Sequence, residues 1–312
     1  MAYVNLQDMA LEAYRHIEKK EFEPAERKIS YILDIHPDNP TLYYFLGCLY
    51  HDRKQFAFSV MAFEKALMLQ PEFDECLNNM AASYRQLGLM DKCKACFQKA
   101  IELANRPKYL LDVCNGDMNK CERNRADYLA NLGSCYVARG TPAVALQYLN
   151  KAIEICPDRP NSQWNAGLAY LEMGDYKRGF AGYEYGDRIS EDKERNYHGG
   201  PKSTPWWKGP EPGKRPVVVV YGEQGIGDEI MFASILQDAM KDADIILEAH
   251  PRLQNLFRLN FPELTVYGTR KATQVNWLSS HKIDAKLAIG SLGKFYRQSK
   301  DDFPRRPYLK SD

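Results

Sequence analysis

Residues 222–228, Gly-Glu-Gln-Gly-Ile-Gly-Asp, crowd three glycines and two carboxylates into one tight turn. Gly222, Gly225 and Gly227 let the backbone bend sharply and approach a ligand, and a helix starting just beyond them offers unpaired N–H groups. Turns of this kind ordinarily grip phosphate. The Gly222–Gly227 spacing suits the nucleoside-triphosphate loop G-x-x-x-x-G-K-[ST], but Asp228 and Glu229 stand where that loop needs lysine and a hydroxyl, and a carboxylate there repels phosphate. The dinucleotide pattern G-x-G-x-x-G fails as well, because Ile230 takes its third glycine position. Two roles are left for Asp228. As a cap it accepts hydrogen bonds from the first N–H groups of the helix and complements the macrodipole, a contribution of about 1 kcal/mol. As a general base it stands at the carboxyl end of a strand, where open α/β sheets put their ligands. Spacing alone favours the cap.

A second set of chemically capable residues is the cysteines. Eight of them lie in a chain without a secretory apolar core, so reduced thiols are the expectation. Cys93, Cys96, Cys114 and Cys121 read as buried or surface thiols, with a zinc site as the alternative, since the second pair is loosely spaced and Cys93 falls at a helix-packing position. His198 and His250 have no partner at metal-binding spacing and read as surface or capping residues.

These residues must be positioned by two different kinds of element. Over the first two thirds of the chain, small and apolar residues recur with a period of about 34, the tetratricopeptide-repeat (TPR) period. Leu46-Gly47, Met80-Ala81 and Leu132-Gly133 share one slot; Tyr50, Tyr84 and Tyr136 follow it; Phe63-x-x-Ala66, Phe97-x-x-Ala100 and Leu149-x-x-Ala152 close the second helices. Each unit is two antiparallel helices that cannot bury their apolar faces without the next unit. Five units are expected within 1–193, at about 6–39, 40–73, 74–107, 126–159 and 160–193, the last degenerate. Residues 108–125 form an insertion, read either as an extension of the preceding helix or as a loop. Residues 194–215, rich in proline, glycine and lysine, read as a linker in which Trp206 and Trp207 pin the chain to a domain, sugar stacking being the alternative. From 216 to 312 short β-branched runs alternate with helical stretches, which predicts a parallel, Rossmann-like sheet of three or four strands, a half-sized domain. The fold class is thus an α-solenoid of TPR helix pairs followed by a small α/β half-domain.

The stretch TPWWKGPEPGKRPVVVVYGEQGIGDEIMFASIL, with GDYKRGFAGYEYGDR before it and GSLGKFYRQSKDDFPRRPYL after it, resembles the glycosyltransferase-like domain found behind TPR arrays in many bacterial proteins. The resemblance covers most of residues 170–310 and implies the N-terminal half of a GT-B glycosyltransferase with a heptosyltransferase-like glycine turn. It further implies that Asp228 is the base that deprotonates an acceptor hydroxyl, that Glu223, Gln224, Gly225 and Gly227 line the same cleft, and that a nucleotide-sugar is the donor. In that family the donor is held mainly by a second half, which would begin about where this sequence stops. The expectation is therefore no tightly bound cofactor, with the missing half lost, carried on a longer chain or supplied by another polypeptide.

Within the repeats, Asn79, Asn131 and Asn165 fall at one repeat position, and Tyr44 and Arg85 share their helical face. An amide pairs with a peptide C=O and N–H at once, so a stacked row holds an extended polypeptide regardless of its sequence. The row resembles the asparagine ladder of O-linked N-acetylglucosamine transferases. The alternative function is a TPR interaction scaffold with a vestigial α/β cap. A net charge of +1 argues against a nucleic-acid binder, and the absence of a long apolar run argues against a membrane span, so a cytoplasmic location is expected.

Overall fold

The computed structural model describes residues 5–186, 204–222, 225–270, 272 and 275–310. They divide into two compact units, residues 1–158 and 159–312. Among the described residues no helix is long and apolar enough to cross a membrane.

Among the described residues the elements of the first unit are all helices: α1 (Leu6–Glu18), α2 (Phe22–Ile35), α3 (Pro40–Asp52), α4 (Phe56–Leu69), α5 (Asp74–Gln86), α6 (Met90–Ala104), α7 (Tyr109–Asp112), α8 (Met118–Ala138) and α9 (Pro142–Ile155). Apart from α7, these form antiparallel pairs. The start of α3 shows why they begin where they do. Asn39 accepts from the Thr41 and Leu42 N–H groups at 3.0 and 3.3 Å, and Pro40 supplies a preset first residue whose missing N–H costs nothing there. Between the helices of a pair the chain turns through a left-handed residue: Gly88 (φ 74°) and Gly140 (φ 66°) in later pairs, but Lys20 (φ 59°) and Lys54 (φ 61°) in the first two. Small residues then let paired helices close up. A Cβ on Gly133 would sit 2.6 Å from Leu149 Cγ, and one on Gly47 would collide with the Phe63 ring, so glycine there lets Phe63 and Leu149 be fully buried.

The insertion takes neither of its two expected forms. The preceding helix α6 stops at Ala104, the short α7 follows, and the remaining residues lengthen the front of α8, which has 21 residues against 13 in α3 and in α5. A buried carboxylate holds the insertion in place: Asp74 accepts from Tyr109 Oη at 2.5 Å and from Tyr128 Oη at 2.6 Å, and Asn124 Nδ2 donates to Tyr109 Oη at 2.9 Å.

The second unit begins with α10 (Pro160–Glu172) and α11 (Tyr176–Tyr183), then runs β1 (Val217–Tyr221), α12 (Ile226–Ala233), α13 (Leu236–Asp242), β2 (Asp244–Glu248), α14 (Gln254–Asn260), β3 (Thr265–Tyr267), β4 (Ala285–Ala288) and α15 (Gly293–Tyr296). The four strands form one parallel sheet in the order β3-β2-β1-β4. Both faces of β1 are covered, as its unbroken run of apolar residues demands: Val218 and Val220 face one core with Phe232, Leu236 and Leu287, while Val219 and Tyr221 face another with Ile246 and Trp277. The pair α10–α11, grouped with the repeats on periodicity, shares its core with the sheet, because Phe180 and Tyr183 pack among those first-face residues. Its two backbones cross in close approach; a Cβ on Gly182 would lie 2.6 Å from Gly167 Cα. Trp207 is buried in the same core, with its N–H donating to Lys286 O at 2.9 Å. Trp206 stays about half exposed, with Lys286 Nζ 5.1 Å from its ring centre. Much of the expected linker and the end of the fifth unit, His198 included, lie outside the described residues.

Candidate functional site

The face built by the first helices of consecutive pairs brings together four of the five residues expected on the repeats. Asn79 Nδ2 donates to Tyr44 Oη at 2.9 Å and approaches Cys48 Sγ at 3.6 Å. Asn78 Nδ2 donates to Asn79 Oδ1 at 3.2 Å, and Asn131 Nδ2 donates to Asn78 Oδ1 at 2.9 Å. Arg85 donates to Ser134 Oγ at 3.2 Å. The result is a polar row running from α3 through α5 to α8, in which each amide is oriented by its neighbour. An amide has two donor hydrogens and two acceptor lone pairs, so these bonds leave capacity on Asn78 and Asn131 for a ligand. Asn165 lies in the second unit and donates to Asn161 O of its own helix at 2.8 Å. The repeat comparison missed Asn78 and Ser134; the pairing of Asn78 with Asn79, adjacent amides at a repeat position, was the available signal.

Beneath this face a polar chain runs inward. His51 Nδ1 and Ser83 Oγ are 2.8 Å apart, Ser83 and Ser59 hydroxyls 2.9 Å, and Ser59 donates to Gly47 O at 2.7 Å. Burial, and then the nearby Arg85 charge, hold His51 below the ordinary histidine range. The cysteines are thiols dispersed through the repeat core. Cys93 and Cys135 face each other at 3.4 Å between α6 and α8, and burial pushes Cys48 up to about 11 and Cys96 up to about 11.

In the second unit the carboxyl edge of the sheet carries charge whose burial the glycine pattern did not disclose. Glu229, on the first turn of α12, is fully buried. Its Oε2 accepts from the His250 N–H at 2.8 Å, and its Oε1 is paired with Arg270, whose side chain is 11% exposed. Glu248, also buried, closes β2 and accepts from Thr269 Oγ1 at 2.9 Å, which in turn accepts from Trp277 Nε1 at 3.0 Å. Gly222 donates to Glu248 O at 2.8 Å, and any side chain at Gly222 would strike the Glu229 carboxylate. These carboxylates tie the ends of β1, β2 and β3 to the glycine turn. In the sequence Glu229 showed only as the second acid after the glycines, and Glu248 only as the acidic residue closing the apolar run DIILE. His250 acts locally as a cap, its Nδ1 accepting from Arg252 N–H at 3.2 Å.

Asp228, the neighbour of Glu229, is half-buried and does two things. Its Oδ2 accepts from the Gly225 N–H at 2.9 Å, closing the start of α12, and its side chain also lines a cavity of about 750 Å³. The cavity wall is mostly aromatic and aliphatic, including Phe180, Tyr183, Phe232 and Phe303, with Arg305 and Arg306 on the closing segment. Tyr308 Oη on that segment donates to Ile230 O at 2.5 Å. Gly225 and Gly227 are exposed at the turn, while Glu223 and Gln224 lie outside the described residues.

Comparison with known proteins decides the nature of the paired helices, since the tetratricopeptide-repeat family matches residues 40–73, 74–107 and 126–159. These segments are TPR repeats. The TPR architecture also matches solved structures: Pseudomonas aeruginosa PilF, 14% identical, with 61% of this chain and 78% of that one covered at a TM-score of 0.50, and PilW, described as a widely conserved type IV pilus biogenesis factor, 17% identical with 62% and 81% covered at a TM-score of 0.50. At such identities the likeness is one of fold. Among curated proteins, Protein FlbA of Caulobacter vibrioides is 25% identical over 317 residues, covering 80% of this chain and 52% of its own length. The chain thus spans about half the length of that relative.

Proposed function

We propose that the TPR face of α3, α5 and α8 binds an extended polypeptide through its backbone. The observation carrying this reading is the row Tyr44–Asn79–Asn78–Asn131, with Arg85 and Ser134 beside it, in which the amides hold one another in position across successive repeats. Such ordering is done before a ligand arrives, so less conformational freedom is lost on binding. The amides read peptide groups rather than side chains, which predicts weak dependence on ligand sequence. The test is selection of random displayed dodecapeptides on the intact chain, followed by calorimetry of the selected peptides. The double variant Asn78→Ala/Asn131→Ala should weaken them about tenfold, as loss of central hydrogen-bonding groups does, while Arg215→Ala in the other unit should leave affinity unchanged. No enriched peptide, or wild-type affinity in the double variant, refutes the reading.

A second reading concerns the α/β unit: the acceptor side of an inverting sugar transfer, with Asp228 removing a proton from an acceptor hydroxyl and a further polypeptide half holding the nucleotide-sugar. It is supported by the sequence resemblance and by the place of Asp228 on the wall of the 750 Å³ cavity. Asp228→Asn should abolish transfer from a panel of labelled nucleotide-sugars while costing about 1 kcal/mol of stability as a cap. Transfer undiminished in that variant removes Asp228 from the reaction.

A further inference from the structure

We infer that the TPR face carries one anchor pocket, between α3 and α5, that takes a single aliphatic side chain of the bound polypeptide. This rests on the polypeptide reading above. The pocket is a cavity of about 180 Å³ lined by Cys48, His51, Asp52, Phe63, Asn79 and Ala82. Sites for free small molecules occupy about 300–1,000 Å³. This one is smaller and suits a single side chain.

Its chemistry selects which side chain. Phe63 is fully buried behind the cavity, Ala82 contributes a methyl group, and the Cys48 thiol, kept protonated by burial, behaves as a small apolar group. The polar wall atoms are largely spent inside the protein. Asn79 Nδ2 serves Tyr44 and Cys48, and His51 Nδ1 is bonded to Ser83, which is itself bonded to Ser59. An uncharged polar or acidic side chain entering here would give up water without recovering its hydrogen bonds, whereas an aliphatic one only gains by burial. Asp52, an exposed carboxylate on the wall, disfavours an acidic occupant and would pair a basic one, so a shared Lys or Arg position among selected peptides would count against the anchor.

Placement joins the pocket to the amide row. Asn79 belongs to both, so a backbone lying along Asn79, Asn78 and Asn131 passes the pocket mouth. In an extended chain alternate side chains point to opposite faces, so one residue enters while its neighbours point away. The face then combines a grip indifferent to sequence with one specified position.

The test uses dodecapeptides selected from a random displayed library on the intact chain. Ala82→Leu, at a half-buried position on the cavity wall, fills the pocket, and an unchanged melting curve checks that the variant folds. The expected result is that selected peptides share one Leu, Ile, Val or Met position, that Ala82→Leu weakens them by about tenfold or more, and that replacing the shared residue by alanine weakens them equally in wild type and not further in Ala82→Leu. Cys48→Ala should shift the preference toward larger side chains. Peptides that are enriched without a shared aliphatic position, or that bind Ala82→Leu as tightly as wild type, overturn the anchor and leave the backbone grip standing. Failure to enrich any peptide overturns both.

Discussion

Removing the partner of a buried charge is the sharpest perturbation available in the second unit. The Glu229 side chain is 1% exposed and its Arg270 partner 11% exposed, so neither charge is screened by much water. In Arg270→Met the carboxylate keeps the His250 N–H, at 2.8 Å, but loses its counter-charge. Breaking a buried pair from one side costs about 3–5 kcal/mol, because the stranded ion remains desolvated. For a unit of this size each kcal/mol moves the melting temperature by about 2–4 °C, so the midpoint should fall by roughly 6–20 °C. Neutralising both sides, in Glu229→Gln/Arg270→Met, removes the stranded Glu229 charge and should recover most of the loss. The readout is built in: all four tryptophans, Trp164, Trp206, Trp207 and Trp277, belong to the second unit, so tryptophan fluorescence during thermal unfolding follows that unit alone. An Arg270→Met midpoint within about 2 °C of wild type, or a double variant no more stable than Arg270→Met, would refute the argument that this pair holds the glycine turn to the strand ends.

Other outcomes follow from the same kind of accounting. Asp74→Ala removes the acceptor shared by the Tyr109 and Tyr128 hydroxyls, Tyr109 still accepting from Asn124, and should cost about 1–3 kcal/mol and raise amide exchange across residues 109–125 above that of α3 and α4. Lys54→Gly should stabilise the first unit by about 1 kcal/mol in chemical denaturation, since Lys54 holds φ 61° in a turn where later pairs use glycine. His51 is depressed in the folded chain, first by burial, so the unfolded chain takes up its proton at higher pH. Its contribution is therefore complete above about pH 6.5 and is lost as pH falls through the folded value; His51→Gln should flatten the decline in melting temperature on acidification. Diamide treatment should link Cys93 to Cys135, whose sulfurs are 3.4 Å apart, in a product found by peptide mass spectrometry and missing from Cys135→Ser.

The repeats were legible residue by residue because each pair solves the same local problem. A small residue at Gly47, Ala81 or Gly133, and an apolar residue two turns into the partner helix, recur wherever two helices must close, so periodicity alone discloses the first helical unit. The run Val217–Tyr221 announced a strand buried on both faces for a similarly local reason, and the glycines with Asp228 announced a helix start, although the helix begins at Ile226, ahead of Gly227 and Asp228, and Asp228 reaches back to the Gly225 N–H instead of capping from outside. Which residues meet across long stretches of chain was decided only by tertiary structure. Asp74 reaches Tyr109 of the insertion and Tyr128 of the following repeat because both pack back onto the start of α5. Asn131 bonds to Asn78 rather than standing free. The pair α10–α11 turns Phe180 and Tyr183 into the core of the sheet, although its period matches the repeats. Glu229 and Arg270, distant in sequence, become a buried pair at the strand ends. Helical and strand periodicities depend on neighbours a few residues apart, and the sequence records them directly. A buried charge or amide is satisfied by whichever partner the packing delivers, and that information exists only once the chain has folded.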